Sequence, residues 1–270
     1  MLPILFLYNQ FTFVIKYFNS KFATFCYKTK SLMKDTPNYC DNNCVNCIPQ
    51  RDTVFAGLTE EQLETLNENK SCTNYKKGQV IFSENGIPFG LFCVSHGKIK
   101  IASTGLDGKE QILRFAKTGD IFGYRALISQ DRYHCNAIAM EDSAICIIDK
   151  NVFLNIYYNN PSLSRAVFKK ISEDLKKAEN IIVSLSQKNV RERLAESLLF
   201  FIATYGYEGD GSTLNVLFSR EEIAAFVGTS TESVIRLLSE FNSDKIVELI
   251  GKKIKVINLD KLTKTANLLY

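Results

Sequence analysis

The hydrophobic period of this 270-residue chain changes once, at Asn160-Pro161, and this change limits the possible folds more than any other feature. Before it, apolar runs are short and separated by glycine, since nine of the fourteen glycines lie between Gly57 and Gly123. After it, apolar residues recur every three or four positions. Short glycine-bounded runs predict strands, and the longer period predicts helices. The predicted fold class is therefore α+β, with the sheet part first.

Five runs rich in β-branched and aromatic residues predict the strands. They cover residues 79–82, 91–94, 98–101, 111–115 and 144–148. Turn dipeptides such as Asn85-Gly86 and Asp107-Gly108 separate them at intervals of about 8–12 residues, which is typical of a barrel or a jelly-roll-like β-roll. Before the strands, Thr59 and Gln62 have the spacing of a capping box, which predicts the start of a short helix.

A long helix is predicted after the roll. Pro161 suits the first turn of a helix, and five apolar residues then follow at successive spacings of four, three, four and three. They are Ile171, Leu175, Ala178, Ile182 and Leu185. This is the spacing of a two-stranded coiled coil, so residues 161–189 predict a dimerisation helix. A helix packed against its own barrel remains the alternative, because the pattern covers fewer than three heptads.

The C-terminal part predicts a winged helix-turn-helix over residues 190–270. A helical pattern at Val190–Tyr205 is followed by two shorter ones, residues 219–227 and 230–241, which Gly228-Thr229 separates. Strands are predicted at Val247–Ile250 and 255–257, joined by Gly251-Lys252-Lys253. Two helices joined by a short glycine-containing turn form a helix-turn-helix, and the hairpin after them forms the wing. The predicted shared core of the two helices consists of Ile223, Ala224, Val227, Val234 and Leu238.

The second helix of this pair exposes side chains that suit base pairs in the major groove of double-stranded DNA. Arg236 can donate two hydrogen bonds to guanine, and Glu232 can accept one from cytosine. Thr231 and Ile235 lie beside them on the exposed face. Residues placed to contact phosphates are Arg220, Thr229, Ser230, Lys252 and Lys253. A plain helical hairpin, in which Ser230 only caps a helix and Glu232 is solvated, remains the alternative.

The run Gly228-Thr-Ser-Thr-Glu-Ser-Val-Ile-Arg236 resembles the Gly-x-[Ser/Thr]-x-Glu-[Thr/Ser]-[Val/Ile]-x-Arg motif of the Crp/Fnr family of bacterial transcription regulators. The resemblance extends from about residue 40 to 265. It implies a cyclic-nucleotide-binding-like sensor roll over residues 33–160, a homodimer on a palindromic operator, and RNA polymerase as a further partner. It also implies that Glu232 and Arg236 contact the conserved core of each operator half-site. Thr231 stands where the subgroups of the family differ.

Cyclic AMP is disfavoured as the ligand of the roll. A cyclic nucleotide site needs an Arg for the phosphate and a Glu for the ribose. In cyclic-AMP-binding members, that Glu follows a Gly-Asp-x-x-Gly turn, and a pair such as Arg-Ser comes some ten residues later. Here Gly119-Asp-Ile-Phe-Gly123 is followed by Tyr124-Arg125, and the later positions are Tyr133-His134. Arg125 or Arg132 could supply the charge, but the acid is missing. A regulator that senses a cyclic nucleotide or another small ligand remains the alternative function.

A cysteine cluster is the second candidate sensor. Cys40, Cys44 and Cys47 lie within eight residues, and soft sulfur ligands suit an iron–sulfur cluster or zinc. Fnr-type oxygen sensors are similar in having an N-terminal cysteine group that ends in Cys-Ile-Pro and a distant cysteine in a late roll strand. That resemblance makes Cys146 the fourth ligand. The spacing here is x3 then x2, where the Fnr type has x2 then x5.

An iron–sulfur cluster is therefore the predicted cofactor. Zinc, a thiol redox switch and inert cysteines remain alternatives. A cysteine-based redox enzyme is the least favoured function, because the sequence has no motif for a nucleophile and base pair, and we expect no enzymatic activity.

The net charge of +4 does not indicate an anionic partner. Residues 1–32 hold four lysines and no acid, so the remaining residues have 29 bases and 29 acids. Residues 188–270 have eleven of each, and any DNA affinity must then come from the placement of charges. The apolar residues 2–18 match neither a signal peptide nor a membrane span, so we expect residues 1–32 to be an extension outside the fold. The expected location is the cytoplasm, without a membrane partner.

Overall fold

The structure is a computed structural model that describes residues 53–267. The predicted extension at residues 1–32 and the cysteines Cys40, Cys44 and Cys47 lie outside the described residues. Within residues 53–267, no helix has both the length and the apolar character that a membrane crossing requires.

Two four-stranded antiparallel sheets form the β-roll. The strands are β1 (Lys70–Tyr75), β2 (Val80–Phe82), β3 (Gly90–His96), β4 (Lys98–Thr104), β5 (Glu110–Lys117), β6 (Ile121–Phe122), β7 (Asn136–Ala139) and β8 (Ser143–Asp149). Their order is β1-β8-β3-β6 in one sheet and β2-β7-β4-β5 in the other. Apolar side chains of both sheets, among them Phe92, Ile101 and Ile145, form a shared buried core. All five predicted strands are confirmed; β1, β6 and β7 were not predicted, because β1 is polar and the other two are very short.

Helices surround the roll and form most of the C-terminal part. They are α1 (Glu60–Glu68), α2 (Tyr124–Ser129), α3 (Lys150–Asn159), α4 (Pro161–Gln187), α5 (Val190–Tyr205), α6 (Arg220–Val227), α7 (Thr231–Ser243) and α8 (Leu259–Thr265). The capping box of Thr59 and Gln62 is present at the start of α1. The α+β fold class, with roll, long helix and winged helix-turn-helix, is confirmed.

Helix α4 packs on the roll at its start and leaves its apolar seam exposed beyond that point. The side chain of Asn160 caps the helix by accepting hydrogen bonds from two backbone N–H groups of its first turn, at 2.9 and 3.0 Å. Leu163 and Val167 are 1% and 0% exposed, whereas Leu175 and Ile182 are 60% and 65% exposed. The alternative of a helix packed on its own barrel therefore describes only the first turns of α4.

The helix-turn-helix and its wing share one core. Gly228 ends α6 with a φ of 72°, a left-handed conformation that glycine adopts without strain and that turns the chain into α7. The five predicted core residues, Ile223, Ala224, Val227, Val234 and Leu238, are all at most 3% exposed.

The predicted wing needs one correction. The strand β9 (Val247–Ile250) is as predicted, but β10 is Lys253–Val256 and not residues 255–257. Ile250 pairs directly with Lys253, so the turn holds only Gly251 and Lys252. Gly251 has a φ of 59°, which suits a tight two-residue hairpin turn. Lys253 therefore begins a strand and is not part of the turn.

Candidate functional site

Helix α7 presents Glu232 and Arg236 on one exposed face. The hydroxyl of Ser230 caps the helix by accepting a hydrogen bond from a backbone N–H of the first turn at 3.2 Å. Val234 and Leu238, on the opposite face, are 0% exposed and fix the rotation of the helix about its axis. Residues four apart lie side by side on a helix, so Glu232 and Arg236 face solvent together. The other predicted residues beside the cap, Thr229 and Thr231, are half-buried.

Local hydrogen bonds hold both exposed side chains. Its own backbone N–H and the hydroxyl of Ser230 lower the pKa of Glu232. Arg236 donates to the carboxylate of Glu240 at 2.6 Å, and its side chain remains 66% exposed. A charged acceptor and a charged donor therefore stand next to each other on an accessible surface.

Arg191 of α5 supports this surface, although no sequence pattern predicted its role. It donates to Glu240 at 2.8 Å and to Asp244 at 2.5 Å, and its guanidinium lies 4.8 Å from the centre of the Phe241 ring. Glu240 thus accepts from Arg191 and from Arg236. The contact of Arg236 with Glu240 could be predicted, because the two residues are four positions apart on one helix. The contact of Arg191 with Glu240 spans 49 residues of sequence, and no local pattern predicts it.

Arg220 joins the start of α6 to the wing. Its guanidinium donates to the carbonyl of Gly251 at 3.3 Å, and burial lowers its pKa. Lys252 is exposed at the same turn. Lys253 instead pairs with Glu208 at 2.8 Å, which partly neutralises its charge. We call the winged helix-turn-helix that follows α4 the head. Of the predicted phosphate-contacting residues, the structure brings Arg220 and Lys252 to one edge of the head.

Arg193 holds the turn of the helix-turn-helix against the end of the long helix. Its guanidinium donates to the carbonyls of Val227 at 3.1 Å and Gly228 at 3.2 Å, and to that of Lys188 at 2.8 Å. The Lys188 side chain is 5% exposed and pairs with Glu196 at 3.2 Å. The connection between α4 and the head is therefore built from one buried and two half-buried charged side chains that have partners.

In the roll, Tyr124 stands where cyclic-AMP-binding relatives carry a Glu. It is 2% exposed; its hydroxyl donates to Asp174 of α4 and accepts from Arg114 of β5 at 2.8 Å. Arg114 also pairs with Asp174. Burial raises the pKa of Tyr124 well above its ordinary value, so the hydroxyl keeps the proton that it donates. This cluster connects the roll to the long helix.

The two arginines considered for a nucleotide phosphate have partners within the roll. Arg125 contacts a ring nitrogen of His134, and Arg132 donates to the carbonyl of Asn85 at 2.7 Å. Burial, followed by the charge of Arg125, lowers the pKa of His134.

Phe115 connects the roll to the head. Its ring centre lies 5.0 Å from that of Phe226 and 5.2 Å from that of Phe218. Nearby, the ammonium group of Lys117 donates to the carbonyl of Thr204 at 2.8 Å. Strand β5 therefore contacts the head next to the helix-turn-helix, through an aromatic cluster that no local sequence pattern indicated.

Cys146 lies in β8, between β1 and β3 of a four-stranded sheet. It is 5% exposed in β8 and stands directly opposite Cys72 of β1 and Cys93 of β3. Cys135 is buried in the inner core of the roll. Within residues 53–267, no group of three or more His, Cys, Asp or Glu side chains could hold a metal ion.

Two protein families match this chain. The cyclic nucleotide-binding domain matches residues 72–160, and the Crp-like helix-turn-helix domain matches residues 192–265. The chain belongs to the Crp/Fnr family of transcription regulators. Among the Crp/Fnr relatives is the fumarate and nitrate reduction regulatory protein of Vibrio cholerae, 28% identical over 84% of this chain and 91% of that protein. Electron transport regulator A of Shewanella oneidensis is 28% identical over 76% of this chain and 82% of that protein.

Solved Crp/Fnr structures share the fold. FixK2 from Bradyrhizobium japonicum has a TM-score of 0.68 and 23% identity, over 74% of this chain and 99% of that one. A mutant of CooA from Carboxydothermus hydrogenoformans has a TM-score of 0.66 and 26% identity, over 82% of this chain and 98% of that one. The resemblance drawn from the Gly228–Arg236 run is therefore confirmed, and the protein is a DNA-binding Crp/Fnr transcription regulator.

Proposed function

We propose that this regulator binds a palindromic operator as a homodimer, with Glu232 and Arg236 contacting base pairs in the major groove. The observation that carries the proposal is their shared exposed face on a helix whose opposite face is buried. An arginine matches guanine and a glutamate matches cytosine on that groove edge. Thr231 lies beside this pair, and the residues proposed to contact phosphates are Arg220, Thr229, Ser230, Lys252 and Lys253. We also propose a cytoplasmic location and RNA polymerase as a second partner, as expected for a regulator that binds DNA.

The exposed stripe of α4 supports the homodimer. Phe168, Leu175 and Ile182 are 69%, 60% and 65% exposed in a single chain, and they recur at seven-residue intervals. A second copy of the same helix buries such a stripe in a parallel coiled coil. The two-fold axis of that dimer would place the two recognition helices about 34 Å apart, one turn of the duplex, which is why the operator should be palindromic.

The charge of the head supports specific over general binding. Eleven bases and eleven acids over residues 188–270 leave no net attraction to phosphates. Lys253 is further neutralised by Glu208. We therefore expect weak non-specific affinity, with discrimination resting on α7.

An iron–sulfur cluster held by Cys40, Cys44, Cys47 and Cys146 is the proposed sensor. Thiolate is the usual ligand of such clusters, and Cys146 offers one from a strand inside the sheet. Residues 53–267 contain no group of three or more side chains that could hold a metal, so Cys40, Cys44 and Cys47 would complete the site. The names of the Vibrio and Shewanella relatives, which refer to fumarate and nitrate reduction and to electron transport, also favour redox sensing. When bound, a cluster would supply reactivity toward oxygen.

Two contacts could transmit a signal from the roll to the DNA. Arg114 and Tyr124 bind Asp174 of the long helix, and Phe115 packs into the head. A change in the roll that favours one arrangement of these contacts would alter the spacing of the two heads, by a shift in population between two states.

Replacement of Arg236 by alanine tests this function. We expect the affinity for a selected operator to fall about 5- to 150-fold, or about 1–3 kcal/mol, because the guanine loses its bidentate partner. Fluorescence anisotropy at fixed salt measures it. Arg165→Ala, which removes an exposed arginine at the start of α4, is the control for lost charge. If wild type and Arg236→Ala discriminate equally well between the operator and a random duplex, the assignment of Arg236 to base contact is wrong.

The match to the cyclic nucleotide-binding domain keeps a small-ligand sensor as the second candidate. Isothermal titration with cyclic AMP separates this candidate from the iron–sulfur sensor. Because Tyr124 replaces the ribose-binding acid, we expect no micromolar binding.

A further inference from the structure

We propose that Glu240 is a positioning residue for DNA recognition, which holds the guanidinium of Arg236 in the orientation that meets guanine. The proposal rests on the proposed function, since it requires that α7 lies in the major groove and that Arg236 contacts a base. Glu240 itself touches no base and acts through Arg236.

The carboxylate of Glu240 is divided between two arginines. Its Oε1 atom accepts from Nη1 of Arg236 at 2.6 Å, and its Oε2 atom accepts from Nη1 of Arg191 at 2.8 Å. The first contact joins residues four apart on α7, and the second comes from the first turn of α5. The carboxylate is therefore held from one side while it holds Arg236 on the other.

Arg191 is itself fixed in place. Its Nη2 atom donates to Asp244 at 2.5 Å, and its guanidinium lies 4.8 Å from the centre of the Phe241 ring, which is 0% exposed. The Arg191 side chain is 34% exposed, about half as much as that of Arg236. An isolated exposed ion pair orders its two side chains only weakly, because solvent competes for both. Here the contacts run from a buried ring through Arg191 and Glu240 to the exposed arginine.

Glu240 leaves Arg236 able to bind a base. An arginine has five N–H donors, and a bidentate contact with guanine needs two of them, so the one donor engaged by Glu240 can be spared. Arg191, Arg236, Glu240 and Asp244 together carry no net charge, so the cluster adds no net repulsion of DNA phosphates. The carboxylate is therefore a support for Arg236 and does not compete with guanine.

The free energy of ordering Arg236 sets the size of the expected effect. Immobilising a free arginine side chain lowers an affinity up to about 30-fold. This cost arises at guanine, which the arginine grips, and is absent at adenine, where the side chain stays mobile. Because Glu240 holds one of the terminal nitrogens before DNA arrives, we expect it to remove about half of that free energy, or about fivefold in the preference for guanine.

A comparison of base preferences tests the inference. The full-length protein, purified anaerobically, first selects its operator from randomised duplexes. The guanine read by Arg236 is the one whose replacement by adenine weakens binding of wild type and has no effect on Arg236→Ala. The ratio of the two dissociation constants, measured by fluorescence anisotropy at fixed salt, is the guanine preference. In Glu240→Ala this ratio should be about fivefold smaller than in wild type.

Further variants separate positioning from lost charge. Arg191→Ala should lower the guanine preference in wild type and have no further effect on it in Glu240→Ala, because Arg191 acts through Glu240. Glu240→Gln keeps one acceptor oxygen and should fall between wild type and Glu240→Ala. Glu248→Ala removes an exposed carboxylate of β9 and should keep the full preference. In all of them, the preference at the base pair contacted by Glu232 should stay unchanged, and circular dichroism checks the fold.

The outcomes separate this inference from the function on which it rests. If Glu240→Ala and Glu240→Gln keep the guanine preference of wild type, or if Glu248→Ala lowers it equally, Glu240 does not position Arg236. If no guanine distinguishes wild type from Arg236→Ala, the base contact of Arg236 is wrong and the role of Glu240 falls with it.

Discussion

Asp174 is the acidic residue that links the long helix to the roll, and its loss should weaken that connection. Its carboxylate accepts from Arg114 and Tyr124 and also lies 3.8 Å from the ammonium group of Lys170. Asp174→Ala leaves a guanidinium and a hydroxyl without their acceptor. The same loss costs about 3–5 kcal/mol in a fully buried pair and about 0–1 kcal/mol in an exposed one.

The exposure of the pair decides where between these limits the cost falls. The side chains of Arg114 and Asp174 are 32% and 21% exposed, so solvent screens them in part. We expect the free energy of unfolding to fall by about 2 kcal/mol, a roughly 30-fold change in the folding equilibrium. Urea unfolding followed by circular dichroism measures it, at one fixed protein concentration because a dimer gains stability with concentration.

A neighbouring pair on the same helix provides the control. Glu173 lies 4.0 Å from Lys169, and their side chains are 50% and 79% exposed. Glu173→Ala should therefore change the free energy of unfolding by less than about 0.5 kcal/mol. If Asp174→Ala and Glu173→Ala destabilise the protein equally, the idea that Asp174 links roll and helix is wrong.

Three further predictions test the dimer, the cofactor and the recognition surface. Ile182→Glu should shift the protein to monomers in sedimentation equilibrium, because it places a charge in the proposed interface; an unchanged dimer mass would argue against the α4 seam. Cys146→Ala should lose the iron and acid-labile sulfide of anaerobically purified protein, whereas Cys135→Ala, in the inner core, should keep both; retained iron in the first variant would exclude Cys146 as a ligand. Ser230→Ala should raise the pKa of Glu232 toward its ordinary value in an NMR titration. The pKa of Glu232 is lower in the folded state than in the unfolded state, so the ionised carboxylate stabilises the fold at neutral pH. This stabilisation is lost as pH falls through the folded-state pKa.

Local patterns were sufficient for most of the fold. The predicted helix at Val190–Tyr205 and the strand at Val247–Ile250 match the structure at both ends. Pro161 and Gly228 stand where α4 begins and where α6 ends, because each residue type suits the backbone conformation required there. Strand β1 was not predicted, because its alternation is weak and it lies at the edge of its sheet. The second wing strand was predicted to begin two residues late, because the sequence does not show on which side of the turn Lys253 lies.

The exposed half of the candidate site could also be predicted, and its supports could not. Glu232 and Arg236 were identified because they lie within one helical turn of each other, on a face that the apolar residues leave free. Arg191, Asp174 and Phe115 bring distant segments together, and no spacing along the chain shows which carboxylate or ring they will meet.

By itself, the sequence determined the order of roll, long helix and winged helix-turn-helix, together with the exposed side chains of α7 that we propose to contact DNA. These follow from periodicity, caps and turn residues, which act over a few positions of the chain. The tertiary structure decided that the seam of α4 stays exposed, that Tyr124 is bound to Arg114 and Asp174, and that Arg191 and Arg236 share Glu240. Those arrangements depend on burial and on partners far apart in the chain, and both exist only once the chain has folded.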